Sequence, residues 1–108
     1  MDIGDFPLLI FGNHCPRTFD AIINELPIKS RGLKKSGKFI ITTQIKTKME
    51  NEKSSFLEGD VSLDPSSGNI SVHLTNNDIS KNENYIGKID DLDGFEKIKL
   101  GKGVVLSN

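Results

Sequence analysis

Residues 61–74 read VSLDPSSGNISVHL, and this stretch decides the fold class. Apolar and polar residues alternate on both sides of the cluster DPSSGN, as they do in strands that bury one face. Pro65 restricts φ, and Gly68 permits the positive φ of a tight turn. The stretch therefore predicts a β-hairpin in which His73 lies on the solvent-facing side.

Strand signals continue along the rest of the chain. The clearest is residues 39–48, FIITTQIKTK, which is rich in β-branched residues and places Phe39, Ile41, Thr43 and Ile45 on one face. Further predicted strands cover residues 8–11, 18–23, 85–89, 95–100 and 104–106, with a hairpin turn at 93–94. We expect residues 26–33 to cross irregularly between two sheets, 49–55 to form an exposed loop and 75–80 to make a single helical turn capped by Thr75.

These elements predict one domain over all 108 residues. About seven strands, with turn signals every 8–12 residues, are typical of a single all-β immunoglobulin-like sandwich. Residues 1–13 are either a contact arm or the first strand. Hydrophobic residues make up 35% of the chain and charged residues 27%, which predicts a thin core.

Charge and cysteine content narrow the class of protein. Fourteen Lys and Arg against fifteen Asp and Glu give a net charge of -1, so neither nucleic acid nor an anionic membrane is an expected partner. Cys15 is the only cysteine, which excludes an internal disulfide and fits synthesis in a reducing cytoplasm. The acidic opening and the short apolar run after it do not resemble a signal peptide. We expect a soluble protein that is not exported.

Residues capable of chemistry are few. His14 and Cys15 are adjacent, but zinc needs about four ligands and the only other histidine is His73. Residues 90–94, DDLDG, partly match a calcium loop, yet Lys102 falls near the position where that loop requires a glutamate. A hairpin turn is favoured there, and loose calcium binding stays open. We predict no catalytic, cofactor-binding or metal-binding residue, and we do not expect an enzyme.

Two surface segments are candidate interfaces. The first is the apolar run near the N-terminus, and the second is the start of a basic cluster; together they contribute Phe6, Leu8, Leu9, Ile10, Phe11, Lys34 and Lys35. The apolar run is equally compatible with a first strand packed inside the core. For the basic cluster, a solvated loop is the favoured interpretation.

The C-terminal half resembles a known family. The segments 59–64 (GDVSLD), 67–78 (SGNISVHLTNND), 84–89 (NYIGKI), 93–94 (DG) and 100–105 (LGKGVV) are similar to the immunoglobulin-like N-terminal domain of phage baseplate upper proteins and of related small tailed-phage structural proteins. The family's usual charged opening is replaced by residues 14–18, HCPRT. The resemblance implies that Tyr85 buries its ring and directs its hydroxyl to a backbone partner, as in the tyrosine corner of sandwich domains.

The resemblance also implies a function. It predicts a non-enzymatic structural component of a tailed-phage virion, such as a capsid decoration or cement protein or a neck, tail or baseplate accessory. Its partners would be other virion proteins, its state in the particle oligomeric, and its location the virion. The alternative is a carbohydrate-binding or adhesin-like module that contacts a host surface, although one Tyr and no Trp offer few sugar-stacking platforms.

Overall fold

The computed structural model describes residues 2–3, 6–10, 14–35, 37–89 and 103–107. This part of the chain forms one helix and nine strands. In chain order they are β1 (Asp2–Ile3), β2 (Phe6–Ile10), α1 (Pro16–Glu25), β3 (Ile28–Lys35), β4 (Lys38–Ile41), β5 (Glu52–Phe56), β6 (Asp60–Leu63), β7 (Ile70–His73), β8 (Asn77–Ile89) and β9 (Gly103–Ser107).

The strands form one antiparallel sheet in the order β2-β1-β9-β3-β4-β7-β6-β8-β5. The sheet curls until β2 also pairs with β8, where Leu8 lies opposite Ile89 and Ile10 opposite Gly87. The all-β prediction is confirmed. The immunoglobulin-like sandwich is not confirmed, because the strands join in a single curled sheet, whereas a sandwich stacks two separate sheets.

The hairpin that decided the fold class is present as β6 and β7. Val61 pairs with Val72 and Leu63 with Ile70, and all four side chains are buried in the core. Residues 65–67 form the turn, and Gly68 follows it with a φ of 80°. The alternation of the sequence therefore places the inward side chains correctly.

The core lies inside the curl of the sheet. The predicted face of Phe39, Ile41, Thr43 and Ile45 is buried along its whole length. Strand β4, however, ends at Ile41, and residues 42–49 have no regular secondary structure. The prediction of a strand over 39–48 was therefore right about the buried face and wrong about the length of the strand.

The predicted strand over residues 18–23 is wrong, because this segment lies in α1. Pro16 occupies the first turn, where its missing N–H costs no hydrogen bond. Thr18 and Ile22 are the buried residues, and their spacing of four puts them on one face of a helix. The β-branched residues of the segment favour a strand locally, but the single buried stripe against the core outweighs that preference.

Three segments that were expected to be an irregular crossing, a loop and a helical turn contribute to strands instead. Residues 26–33 enter β3 at Ile28, after a cis peptide bond between Leu26 and Pro27. Residues 52–55 of the predicted loop form most of β5, and Asn77 begins β8 where a helical turn was expected. The predicted strands over 85–89 and 104–106 are confirmed in β8 and β9. The predicted strand 95–100 and the turn at 93–94 lie outside the described residues.

Candidate functional site

Both faces of the β6–β7 hairpin are covered, since all eight of its strand residues are buried. Residues opposite each other in antiparallel strands project on the same side. Ser62 is opposite both Ser71 and Tyr85, and these side chains therefore share the face turned away from the core. By alternation, Asp60 and His73 project on the same side. We call Asp60, Ser62, Ser71, His73 and Tyr85 the outer polar face.

Strand β5 covers the outer polar face with Phe56. The Phe56 ring stacks on the His73 ring, with centroids 4.4 Å apart, and meets the edge of Tyr85 at 5.9 Å. His73 is 0% exposed as a result. The prediction that His73 faces solvent is wrong, although the alternation that placed it opposite the core was right. The sequence did not reveal that β5 covers this face, because residues 49–55 read as a polar loop.

Hydrogen bonds fix the protonation of His73. Ser62 Oγ donates to Glu83 Oε1 at 2.8 Å, since a carboxylate can only accept. The remaining contact of Ser62 Oγ, at 2.9 Å, must then be accepted from His73 Nε2–H. Nδ1 is left without a proton and lies 3.4 Å from the amide nitrogen of Asn77. Burial, and then the nearby charge of Lys38, lower the pKa of His73 to about 4, although Asp60 opposes the shift.

The serine, histidine and glutamate of this network do not form a nucleophilic triad. In a triad the serine hydroxyl gives its proton to the histidine, and the acid contacts the other ring nitrogen. Here Ser62 lies between Glu83 and His73, and its hydroxyl donates a hydrogen bond to the glutamate and not to the histidine. Phe56 also covers the histidine. The network is therefore suited to holding strands together and not to attacking a substrate.

A second part of the outer polar face surrounds Asp60, a residue that is 1% exposed. It accepts hydrogen bonds from the Tyr85 hydroxyl and the Leu57 N–H, both at 2.9 Å, and Lys88 Nζ lies 3.9 Å away. Burial, together with the hydrogen bond and charge of Asp60, raises the pKa of Tyr85, so the phenol stays protonated. The tyrosine-corner expectation is thus corrected, because the hydroxyl bonds a side-chain carboxylate at this position.

A surface pocket of about 380 Å³ opens beside Tyr85 and is lined by His14, Asn51, Tyr85 and Lys88. Leu9 is paired with Lys88 across β2 and β8, so both side chains point outward together. Leu9 is 57% exposed. We call these residues, His14, Asn51, Tyr85, Lys88 and Leu9, the outer patch.

The candidate interface residues are separated by the fold. In β2, Leu8 is buried and Ile10 packs against the core, while Leu9 between them is exposed. The backbone of Phe6 lies in β2, and Phe11 lies outside the described residues. Lys34 and Lys35 lie on β3, a strand that pairs with neither β2 nor β8 in the described part of the chain. Of the candidates whose side chains are described, only Leu9 belongs to the outer patch.

The N-terminus of α1 is capped by a residue far along the chain. The Glu50 carboxylate accepts the backbone N–H groups of Thr18 at 2.6 Å and Arg17 at 3.3 Å, and the Thr18 hydroxyl at 2.8 Å. Burial favours the neutral acid, but these hydrogen bonds outweigh it and lower the pKa of Glu50. Asn84 holds the segment in place by accepting the N–H groups of Glu50 and Asn51. Sequence reasoning missed this cap, because no local spacing connects residues 18 and 50.

Cys15, the N-cap residue of α1, is fully buried. Burial and the charge of Glu50 raise the pKa of its thiol, which keeps the sulfur in its less reactive, protonated form. Within the described ranges, no three His, Cys, Asp or Glu side chains converge as a metal site would require. The calcium-like residues 90–94 and Lys102 fall in the undescribed part. No helix of the described chain has the length and apolarity to span a membrane.

Comparison with known proteins supports the fold. The chain is similar to the solution structure of the hypothetical protein AF2241 from Archaeoglobus fulgidus, with a TM-score of 0.74 and 28% sequence identity over 93% of this chain and 83% of that one. No protein-family model matches the sequence, and no curated protein matches it significantly. The archaeal protein is itself described as hypothetical, so the likeness carries no activity to this chain.

Proposed function

We propose that this domain is a non-enzymatic binding module that contacts a protein partner through the outer patch. The observation that carries the proposal is Leu9, which is 57% exposed between two inward-facing residues of a paired strand. A large apolar side chain held on a rigid strand, next to a pocket and a lysine, has the composition of an interface anchor with a polar surround.

The chemistry of the neighbouring residues favours binding over catalysis. Asp60 is committed to Tyr85, Lys88 and a backbone N–H, and His73 lies beneath Phe56. These groups stabilise the sheet and keep the outer patch in one arrangement. A preorganised surface binds with a smaller entropic cost, because its side chains are already ordered.

The resemblance to phage structural proteins is the ground for proposing the partner. In this proposal the domain is a structural component of a tailed-phage virion, and the outer patch docks on another virion protein. The immunoglobulin-like assignment rests on the same resemblance.

The test compares two leucines of equal exposure. Leu9 is 57% exposed on β2, and Leu33 is 56% exposed on β3. Purified phage particles would be analysed by mass spectrometry after complementation with the unaltered chain, with Leu9→Ser or with Leu33→Ser, and the folding of each variant would be checked by thermal melting. We expect the unaltered chain and Leu33→Ser in the particle and a loss of Leu9→Ser.

Two results would contradict the proposal in different ways. Absence of the unaltered chain from particles would remove the virion assignment. Equal incorporation of both leucine variants would remove the outer patch as the contact. Binding of the isolated domain to a glycan array, lost in Tyr85→Ala, would instead favour the carbohydrate-binding alternative.

A further inference from the structure

Strand β4 pairs with only the C-terminal half of β3. The pairing runs from Gly32 opposite Ile41 to Lys35 opposite Lys38. If the register continued, Lys29 would lie opposite Gln44. At that point a cleft of about 300 Å³ separates the two segments instead, with its walls formed by residues 27–29 and 42–45 and by Glu25.

One wall of this open cleft is an extended segment with a defined orientation. Thr43 and Ile45 are buried, while Thr42 and Gln44 are exposed. A Cβ added to Gly68 would lie 2.7 Å from the Thr43 carbonyl oxygen and 3.0 Å from that of Ile45, so these backbone groups face the β6–β7 turn. Because backbone groups alternate in direction along an extended chain, those of Thr42 and Gln44 face the cleft.

The backbone groups that face the cleft have no strand partner among the residues that the structure describes. The Thr42 carbonyl accepts a hydrogen bond from the Ser30 side chain at 2.7 Å, where a continued ladder would supply a backbone N–H. Among the described residues, no backbone hydrogen bond joins Lys29 to Gln44. In an antiparallel register, the backbone N–H and C=O groups of two opposite residues point either toward each other or away from each other. Since those of Gln44 face the cleft, those of Lys29 face it from the other side.

The side chains along the cleft define what could fill it. On the outer side, Lys29 lines the cleft and is exposed, and the exposed Lys46 directly follows the wall residue Ile45. Thr42 and Gln44 are polar, and Glu25 adds one negative charge to the lining, so the two lysines still leave this side net positive. On the inner side, Ile28 packs against the core and Ile45 is part of it. A strand that fits here would alternate, with acidic residues outward next to the lysines and small apolar residues inward.

We propose that the open cleft takes an extended segment of a partner protein, acidic on one side and apolar on the other, as an added strand between Lys29 and Gln44. The backbone bonds supply affinity, and the alternating side chains supply selectivity, as in other cases of strand addition. This surface is separate from the outer patch and does not depend on it. The edge of β5 that pairs with no strand of the described residues is a poorer acceptor, because β5 is short and its pairing with β8 is interrupted by an irregularity between Lys53 and Ser55.

The test uses synthetic peptides and the full chain. The probe is an acetylated and amidated peptide of alternating Glu and Val, and the controls are the Lys-Val peptide and Glu-Val peptides N-methylated at every second residue in either register. Calorimetry would give the affinities, and hydrogen exchange would locate the protected amides. We expect saturable binding of the Glu-Val peptide, with slower exchange at Lys29 and Gln44.

N-methylation in either register should weaken binding about tenfold, because an inserted strand uses both of its edges. Lys29→Glu should weaken it about fivefold, while Lys35→Glu, on the same strand but outside the cleft, should not. Four outcomes would each overturn the proposal. They are unchanged affinity of the N-methylated peptides, weaker binding in only one of the two N-methylated registers, equal affinity of the Lys-Val and Glu-Val peptides, and slower amide exchange confined to β5. The absence of saturable binding in the unaltered chain would overturn it as well.

Discussion

Phe56 lies face to face on His73, with the ring planes only 8° apart. The contact joins two distant strands of the curled sheet, because Phe56 belongs to β5 and His73 to β7, and β6 and β8 lie between these strands in the sheet order. One phenylalanine therefore determines whether a row of polar side chains is buried or exposed to water. The first two predictions follow from this pair.

Acid should destabilise the fold through His73. Its pKa is about 4 in the folded chain and about 6.5 when unfolded, so between these values the unfolded chain binds more protons and stability falls as pH falls. Above pH 6.5 His73 makes no pH-dependent contribution. The loss is at most about 3 kcal/mol at pH 4 and levels off below that pH, where His73 is protonated in both states. Urea unfolding as a function of pH measures it. His73→Phe should remove this dependence of the free energy of unfolding on pH, whereas His14→Gln should keep it. An unchanged dependence in His73→Phe would show that His73 is not its source.

Truncating Phe56 should expose the outer polar face. Phe56→Ala leaves a cavity above His73 and should lower the free energy of unfolding by about 3–4 kcal/mol. The neighbouring Leu57 is exposed, and Leu57→Ala should change the free energy of unfolding by less than about 0.5 kcal/mol. Urea denaturation gives both values, and hydrogen exchange should show faster exchange over residues 52–56 in Phe56→Ala. Similar losses in the two variants would show that Phe56 does not hold this layer.

Glu50 should stabilise α1 through its charge. Glu50→Gln keeps an acceptor oxygen but loses the negative charge at the helix N-terminus, and we expect a loss of about 1 kcal/mol. Since the pKa of Glu50 is lowered on folding, its contribution is present above the unfolded value of about 4.5 and disappears as the carboxylate protonates. Glu58→Gln, at an exposed turn position, is the control. Equal stability of the two variants at pH 7 would exclude the cap.

Two glycines with positive φ should respond differently to alanine. Gly59 and Gly68 have φ values of 88° and 80°, so each substitution introduces backbone strain of about 1 kcal/mol. The new methyl group has room at Gly59, where the nearest atom is 3.7 Å away, but would lie 2.7 Å from the Thr43 carbonyl at Gly68. Gly68→Ala should therefore cost about 1–3 kcal/mol more than Gly59→Ala in chemical denaturation. A smaller loss at Gly68 would mean that residues 43–45 move away freely.

The sequence predicts the inward half of this molecule well. The alternation around Val61 and Val72 identifies both the hairpin and its core face, because a strand with one buried face has a period of two. The helix is harder to recognise, since the apolar stripe of α1 consists of few residues and its β-branched members, such as Ile22, favour a strand locally. Which face of α1 is buried depends on its packing against the sheet, and the local sequence does not show that packing.

The outer half of the molecule depends on contacts that sequence spacing does not encode. Glu50 caps a helix that begins more than thirty residues earlier, and Phe56 covers a histidine from a segment that reads as a loop. The exposure of Leu9 also depends on the register of β2 against β8. A run of apolar residues alone does not show which of its members faces outward.

The cap supplied by Glu50 has a consequence for the order of folding. A ten-residue helix is marginal by itself in water, and the side chain of its own N-cap residue, Cys15, does not cap it. The group that completes the helix N-terminus is brought in by Asn84, a residue of β8. We therefore expect helix α1 to form late, once the sheet has closed behind it, so that its helical signal reports assembly of the tertiary structure and not local nucleation.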